Sequence, residues 1–127
     1  MRIRVTVADD SAEFLQEIVS VLEPEFEVVG YATDGKSAIE MISRYKPDVA
    51  VLDLMMPKAT GIEVAQHLAS NGVSSLVIIC SVEEDPQLVA AVRQAGARGY
   101  IPKSRIATDL ATAINAVLTG ADFFSSR

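Results

Sequence analysis

The chain has 127 residues, of which 50% are hydrophobic and 22% are charged, and its formal net charge is −6. This length and composition are those of one globular domain with its own apolar core, not of a disordered chain. An acidic domain should repel nucleic acid, so we expect no direct contact between this domain and DNA. No apolar run reaches the roughly 18 residues of a membrane-spanning helix, so we expect no membrane association.

The cysteine content and the N-terminus predict a cytoplasmic protein. Cys80 is the single cysteine, which excludes an internal disulfide and fits a reducing compartment. Charged residues interrupt the apolar ones in the opening stretch MRIRVTVADD, which argues against a signal peptide. With one histidine, His67, and one cysteine, the chain cannot build a zinc site.

Two hydrophobic periods alternate along the chain. Apolar stretches of strand length occupy positions 3–8, 28–32, 49–52, 76–80 and 99–101. Apolar residues at helical spacing follow each of them, beginning near Phe14, Ala38, Ile62, Leu88 and Leu110. Five strands, each followed by a helix, predict an α/β domain with a doubly wound parallel sheet and five helices.

The first stretch has a mixed pattern. The stretches at 49–52 and 76–80 are continuously apolar, as expected for buried parallel strands. In the first stretch, Arg4 and Thr6 alternate with apolar residues. By this periodicity alone, the first strand is expected at a half-exposed edge of the sheet.

Polar side chains follow four of the five predicted strands. Asp9 and Asp10 follow the first, Asp53 the third, Ser81 the fourth and Lys103 the fifth. The carboxyl ends of parallel strands share one edge of the sheet, and open α/β sheets bind their ligands there. We therefore expect three carboxylates, a hydroxyl and an ammonium group to lie close together.

This set of groups indicates phosphoryl chemistry. Three carboxylates at close range cannot all stay ionised unless a cation sits among them or one takes up a proton. Oxygen ligands favour Mg²⁺, which keeps open positions for phosphoryl oxygens. Lys103 and Ser81 can interact with those oxygens. Asp53, centred between the residues of the first and fourth strands, is the best-placed nucleophile for an acyl phosphate.

Each residue also has a simpler interpretation. Asp10 could be the N-cap of the first helix, with Glu13 three residues later completing a capping box. Asp53 could be a loop carboxylate, Ser81 could serve ordinary turn chemistry, and Lys103 alone is typical of an exposed surface. The hypothesis depends on the joint placement of these residues.

Five sequence motifs carry a resemblance to a known family. They are VADDS at 7–11, VLDLMMP at 51–57, Gly61, IICS at 78–81 and GARGYIPKS at 96–104. Over essentially its whole length the chain resembles the receiver domain of bacterial two-component response regulators. The resemblance implies a flavodoxin-like fold with strand order 2-1-3-4-5, which places the first strand inside the sheet.

The resemblance also implies roles for the residues at the edge. Asp53 would accept the phosphoryl group from the phosphohistidine of a sensor histidine kinase in a phosphorelay. Asp9 and Asp10 would hold Mg²⁺, together with Asp53 and the backbone carbonyl of Met55. The domain would catalyse only its own Mg²⁺-dependent phosphorylation and dephosphorylation.

The same family changes shape on phosphorylation. Lys103 would pair with the phosphoryl group, Ser81 would shift toward it and Tyr100 would swing inward. The surface that changes would be roughly 86–118, and the expected result is a homodimer.

The C-terminal part indicates a subfamily. GARGYIPKS and the final AINAVLTGADFFSSR resemble receivers joined to a LuxR-type helix-turn-helix. We expect residues 1–127 to be one receiver domain that regulates transcription through a DNA-binding domain outside this sequence. A free-standing receiver is the alternative.

Three positions depart from the family pattern. Val82 replaces a smaller residue and could narrow access to Asp53. Ser104 follows Lys103 where a proline after a cis bond is common; a cis bond before serine costs about 3 kcal/mol, so a trans or strained bond is expected. The segment Lys58-Ala59-Thr60 replaces a more acidic loop.

Two other functions compete with this hypothesis. Val82 is the one feature that favours a receiver-fold protein-binding module that works without phosphorylation. An aspartate-nucleophile phosphatase would need an acid two residues after Asp53, where this chain has Met55.

Overall fold

The computed structural model describes residues 2–83 and 85–125. In chain order the elements are β1 (Arg4–Ala8), α1 (Ala12–Leu22), β2 (Glu27–Ala32), α2 (Gly35–Tyr45), β3 (Val49–Asp53), α3 (Gly61–Ser70), β4 (Leu76–Ser81), α4 (Pro86–Gln94), β5 (Gly99–Pro102), α5 (Ile106–Leu118) and β6 (Phe123–Phe124). The five strands expected from the sequence lie within one residue of their predicted bounds. None of the helices in the described ranges is long and apolar enough to cross a membrane.

The strands form one parallel sheet in the order β2-β1-β3-β4-β5-β6. The five-stranded order 2-1-3-4-5 is therefore confirmed, and a short sixth strand extends it. The edge position expected for β1 from its periodicity is wrong, because β1 lies between β2 and β3. Its alternation arises from Arg4 at the strand start and from Thr6, a polar residue that is fully buried.

Helices cover both faces of the sheet. On one face α1 and α5 pack over Val5, Val7, Val49, Val51, Ile78 and Ile101. On the other face α2, α3 and α4 pack over Ala8, Ala50, Leu52, Val77, Ile79 and Tyr100. Alternate residues of the central strands thus serve two cores, which fixes the register of each strand because a one-residue slip would exchange the two sets.

Capping residues start four helices close to the carboxyl edge of the sheet. The side chains of Ser11, Asp34, Thr60 and Asp85 each accept a hydrogen bond from a backbone N–H in the first turn. By contrast, α5 begins through a short 3₁₀ turn, Lys103–Arg105, that directly follows β5. The carboxyl edge is therefore lined by helix starts and short loops.

The chain covers its own β5 edge with β6. The N–H of Phe123 donates to the carbonyl of Arg98 at 2.9 Å, and the N–H of Ser125 donates to the carbonyl of Tyr100 at 2.9 Å. Asp122 pairs with Arg98 at 2.6 Å, and the Arg93 guanidinium lies 3.8 Å from the centroid of the Phe124 ring. Pairing in this way protects an edge that would otherwise present unpaired backbone groups.

Thr6 provides a test of the packing in the sheet. Its hydroxyl is fully buried and has no hydrogen-bond partner among the described residues. Replacing a buried unpaired hydroxyl with a methyl group of similar size removes a desolvation cost. We expect Thr6→Val to raise the free energy of unfolding by about 1 kcal/mol, measured by urea titration.

Thr6→Ser is the matched control, because it keeps the hydroxyl and loses the methyl group. We expect it to lower the stability. A Thr6→Val variant less stable than the wild type would show that the hydroxyl is bonded.

Candidate functional site

The carboxyl edge of the sheet gathers the three predicted aspartates. Asp9 follows β1 and is fully buried, and Asp53 ends β3 with 6% of its surface exposed. Asp10 is exposed. One carboxylate oxygen from each residue lies within 4.8 Å of the others. The structure therefore brings together all three side chains of the predicted metal site.

Asp10 is not the N-cap of α1. Ser11 caps the helix, with its Oγ accepting from the N–H of Phe14 at 3.3 Å. The N–H of Ser11 in turn donates to Oδ1 of Asp9 at 2.8 Å. The capping interpretation was wrong by one residue, and the Asp10 carboxylate belongs to the acidic cluster instead.

Lys103 lies inside the cluster and not on an open surface. Only 8% of its surface is exposed. Its Nζ is 2.8 Å from Oδ2 of Asp9 and 3.3 Å from Oδ1 of Asp53, and it lies 4.1 Å from the centroid of the Phe14 ring. Lys103 is the first residue of the 3₁₀ turn that follows β5.

The cluster holds more negative charge than Lys103 can balance. Burial and then the charge of Asp9 raise the pKa of Asp53 to about 6, against the opposing effects of Lys103 and of the Met55 N–H. Burial disfavours the charged form of Lys103, but Asp9 and Asp53 outweigh it and raise the pKa of this ammonium group. A further cation near the carboxylates would relieve the repulsion that raises the pKa of Asp53.

The donor atoms fit a small divalent cation that prefers oxygen. The cluster offers carboxylates from three residues, and Oδ2 of Asp9 is buried and accepts no well-directed hydrogen bond from the described residues. The neighbouring Cys80 is buried, which raises the pKa of its thiol to about 12 and keeps it protonated. An oxygen-only site suits Mg²⁺. The contribution of the Met55 carbonyl stays a prediction.

The two predicted switch residues both form hydrogen bonds with the backbone of Glu83. Ser81 ends β4, and its Oγ accepts from the N–H of Glu83 at 2.9 Å. Tyr100 is 1% exposed, and its hydroxyl donates to the carbonyl of Glu83. Ser81 thus does serve turn chemistry here, and the Tyr100 ring already lies inside. The movements of both residues stay predictions.

The positions that depart from the family pattern surround the site. No cis peptide bond occurs in ranges 2–83 and 85–125, so the Lys103–Ser104 bond is trans. Val82 is 67% exposed, and its effect on access to Asp53 stays a prediction. Lys58 has a left-handed φ of 72°, and its Nζ lies 4.0 Å from Asp34.

Gly61 sits against the backbone that carries Asp53. A methyl group on Gly61 would lie 2.6 Å from the carbonyl oxygen of Asp53, too close for any side chain. The N–H of Gly61 also donates to the carbonyl of Leu54 at 2.8 Å. The glycine therefore allows the loop before α3 to fold back onto the end of β3.

Sequence analysis missed three features: the backbone of Glu83 that bridges Ser81 and Tyr100, the ring of Phe14 beside Lys103, and β6. The sequence places Phe14 in the apolar face of α1, where its aromatic ring signals only core packing. A signal for its contact with Lys103 exists in the sequence, since Phe14 lies in the first turn of the helix that follows Asp9 and Asp10. The pair Phe123-Phe124 is too short to indicate a strand by periodicity.

Comparison with known proteins agrees with this geometry. The family model described as the response regulator receiver domain matches residues 5–115. The chain belongs to this family. Among relatives, it is 34% identical over 128 residues to the transcriptional regulatory protein DegU of Brevibacillus brevis, covering 99% of this chain and 54% of that protein. NarL of Mycobacterium tuberculosis is 34% identical over 123 residues, covering 95% of this receiver and 57% of that protein.

Solved receiver domains share the fold. The NarL receiver of M. tuberculosis superposes with a TM-score of 0.83 at 32% identity, covering 90% of this chain and 97% of that one. The isolated receiver domain of RcsB from Salmonella enterica serovar Typhimurium, in the presence of the phosphomimetic BeF₃⁻, gives a TM-score of 0.90 at 26% identity, covering 99% of this chain and 95% of that one.

The chain spans about half the length of the curated relatives it matches, 54% and 57% in the two cases above. A protein-glutamate methylesterase of Geobacter sulfurreducens also contains a related segment, 38% identical over 104 residues and only 28% of that protein. Related receivers therefore occur in proteins with different further functions.

The raised pKa of Asp53 predicts a pH-dependent cost of folding without metal. Between about pH 4 and pH 6, the folded protein keeps a proton on Asp53 that the unfolded chain has released. The contribution of Asp53 to the free energy of unfolding therefore falls as the pH rises through this window. We expect Asp53→Asn to be more stable than the wild type by about 1–2 kcal/mol near pH 7.5 in EDTA, and equal to it near pH 4.

Urea titrations at both pH values, with and without Mg²⁺, measure this difference. Added Mg²⁺ should stabilise the wild type at the higher pH and reduce the advantage of Asp53→Asn. A difference that stays constant with pH would contradict the assignment of the cost to Asp53.

Proposed function

We propose that this receiver domain is a switch controlled by phosphorylation of Asp53, with a sensor histidine kinase as the donor. The proposal is supported above all by the contact of one buried ammonium group, Lys103, with two buried carboxylates, Asp9 and Asp53, at the carboxyl edge of the sheet. This arrangement presents a nucleophile and a cationic group for phosphoryl oxygens at the same place.

The nucleophile is available at neutral pH. Because the pKa of Asp53 is about 6, its carboxylate is mostly ionised in the cytoplasm. An oxygen of Asp53 attacks phosphorus as the bond from phosphorus to the kinase histidine breaks, which leaves an acyl phosphate and a neutral imidazole once that ring takes up a proton. Asp9, Asp10, Asp53 and the Met55 carbonyl would hold Mg²⁺, which would supply positive charge to the phosphoryl oxygens.

The switch begins with Lys103 and Ser81. Lys103 can turn from the carboxylates to the new phosphoryl oxygens. Ser81 can leave the Glu83 N–H and donate its hydroxyl proton to the same group. Each charge-assisted hydrogen bond contributes about 1.5–3 kcal/mol. A few of them are enough for the roughly 5.5 kcal/mol that reverses a 1:99 equilibrium.

The signal can leave the site through Glu83 and Tyr100. A change at Ser81 disturbs the backbone of Glu83, whose carbonyl accepts from the Tyr100 hydroxyl. The Tyr100 carbonyl in turn accepts from Ser125 next to β6. This route connects Asp53 with the surface of α4, β5 and α5.

The output we propose is homodimerisation that controls transcription through a DNA-binding domain outside this sequence. Support comes from the relatives, several of which are transcriptional regulatory proteins. The net charge of −6 makes the receiver itself a poor ligand for DNA.

A phosphorylation-independent binding module is the second candidate. The apolar side chain of Val82, 67% exposed directly after Ser81, favours it. Such a module would bind its partner equally well with and without BeF₃⁻ and Mg²⁺.

Phosphorylation by a small acyl phosphate tests the proposal directly. With acetyl phosphate and Mg²⁺, we expect intact-protein mass spectrometry to show one phosphoryl group on the wild type and none on Asp53→Asn. Asp48→Asn is the matched control, since Asp48 is an exposed carboxylate just before the other end of β3. A folded wild type that takes up no phosphoryl group would overturn the proposal.

Lys103→Ala tests the response to phosphorylation. The nucleophile and the cation ligands remain, so we expect the variant to accept a phosphoryl group, about tenfold more slowly. Sedimentation velocity with BeF₃⁻ and Mg²⁺ should show dimers for the wild type and monomers for this variant. Equal dimerisation of both proteins would show that dimerisation does not depend on the contact between Lys103 and the phosphoryl group.

A further inference from the structure

The ammonium group of Lys103 has a third neighbour that none of the roles above uses. The ring of Phe14 faces it, with Nζ 4.1 Å from the ring centroid. An ammonium group has three N–H donors. Asp9, Asp53 and the face of the Phe14 ring are three groups within 4.1 Å of Nζ that can attract its positive charge.

The position of the ring is tied to the same aspartate that pairs with Lys103. Oδ1 of Asp9 accepts from the N–H of Ser11, and Oγ of Ser11 accepts from the N–H of Phe14. The other oxygen of Asp9 lies 2.8 Å from Lys103. Asp9 therefore orients both the first turn of α1 and the ammonium group that the ring contacts.

The ring contact differs from the two carboxylate contacts in one respect. In the proposed function Asp9 becomes a cation ligand and the Asp53 carboxylate becomes an acyl phosphate, so both carboxylate contacts of Lys103 change. The ring of Phe14 takes part in neither event, and its attraction for a cation persists. Cation–π attraction is strongest where water is excluded, and Lys103 is only 8% exposed.

We propose that Phe14 is a positioning residue that holds the Lys103 ammonium beside Asp53 while the phosphoryl group is transferred. This inference rests on the proposed function of Asp53. It predicts that weakening the negative face of the ring slows phosphorylation by a small donor without removing any group that touches the phosphoryl group.

Fluorinated phenylalanines at position 14 provide an almost isosteric test. Each added fluorine weakens the attraction of the ring for a cation and leaves its shape nearly unchanged. We expect the rate of phosphorylation by acetyl phosphate to fall steadily from phenylalanine to the pentafluoro ring, by about tenfold in total. Phe14→Tyr should keep the wild-type rate, and Phe14→Leu should match the slowest member.

Phe26 is the matched control for this series. It is a buried phenylalanine in the core between the sheet and α1 and α5, and the residue after it pairs with Arg4 at the opposite end of β1 from Asp9. The same fluorinated residues at position 26 should change stability but not the rate. A parallel fall in rate at both positions would overturn the proposal.

A double-mutant cycle tests whether Phe14 acts through Lys103. In the Lys103→Ala background the ring has no ammonium group to hold, so Phe14→Leu should leave the residual phosphorylation rate unchanged. An equal loss in both backgrounds would show that Phe14 acts on the fold of the site, and would overturn the proposal.

The contact itself has a spectroscopic signature that needs no phosphorylation. In the metal-free wild type, the ring current of Phe14 should shift the NMR signals of the Lys103 side-chain protons next to Nζ upfield. Phe14→Leu should return them to their usual position. Absence of the shift in the wild type would overturn the proposal, whatever the kinetic result.

These measurements separate the two hypotheses. If the wild type is phosphorylated but the fluorinated series reacts at one rate, the positioning role of Phe14 is wrong and the function of Asp53 stands. If the folded wild type shows the upfield shift but takes up no phosphoryl group, the proposed function is wrong and the positioning role is overturned with it.

Discussion

The structure depends on the electrostatic balance between Lys103 and the aspartates at the carboxyl edge of the sheet. Burying a charge is costly unless it is paired, and Asp9, Asp53 and Lys103 are all nearly inaccessible to water. One ammonium group cannot neutralise three carboxylates, and burial together with the charge of Asp9 raises the pKa of Asp53. The domain therefore holds a site with excess negative charge, which a cation and a phosphoryl group can change. Removing the ammonium group would leave the buried carboxylates without their cationic partner, whereas removing the Asp53 carboxylate would lessen the excess negative charge.

Hydrogen bonds connect the residues of this site with the neighbouring loops. Asp9 bonds to Ser11 at the start of α1, Ser81 bonds to Glu83 before α4, and Tyr100 bonds to the backbone of Glu83 from β5. Ser125, beside β6, bonds to the backbone of Tyr100. These hydrogen bonds link the site to the starts of α1 and α4 and link Glu83, through Tyr100, to β6.

Much of the fold follows from the sequence because strand and helix periods are local and strong. Continuous apolar stretches at 49–52 and 76–80 identify buried strands, and turn residues separate them from helices. The same local pattern misplaced β1, since Thr6 is polar yet buried between β2 and β3. It also left Asp10 open as a cap of α1, because Asp and Ser are nearly equal as caps and only the backbone geometry selects Ser11.

The sequence by itself determined the parallel sheet and the set of residues at its carboxyl edge, because parallel strands must place their ends together. It could not determine which hydrogen bonds, ion pairs and ring contacts those side chains form. Only the tertiary structure places Lys103 between two carboxylates and the ring of Phe14, and joins Ser81 to Tyr100 through Glu83. These contacts join segments far apart in the chain. Their geometry depends on how the helices pack over the sheet. A local sequence pattern does not predict this packing.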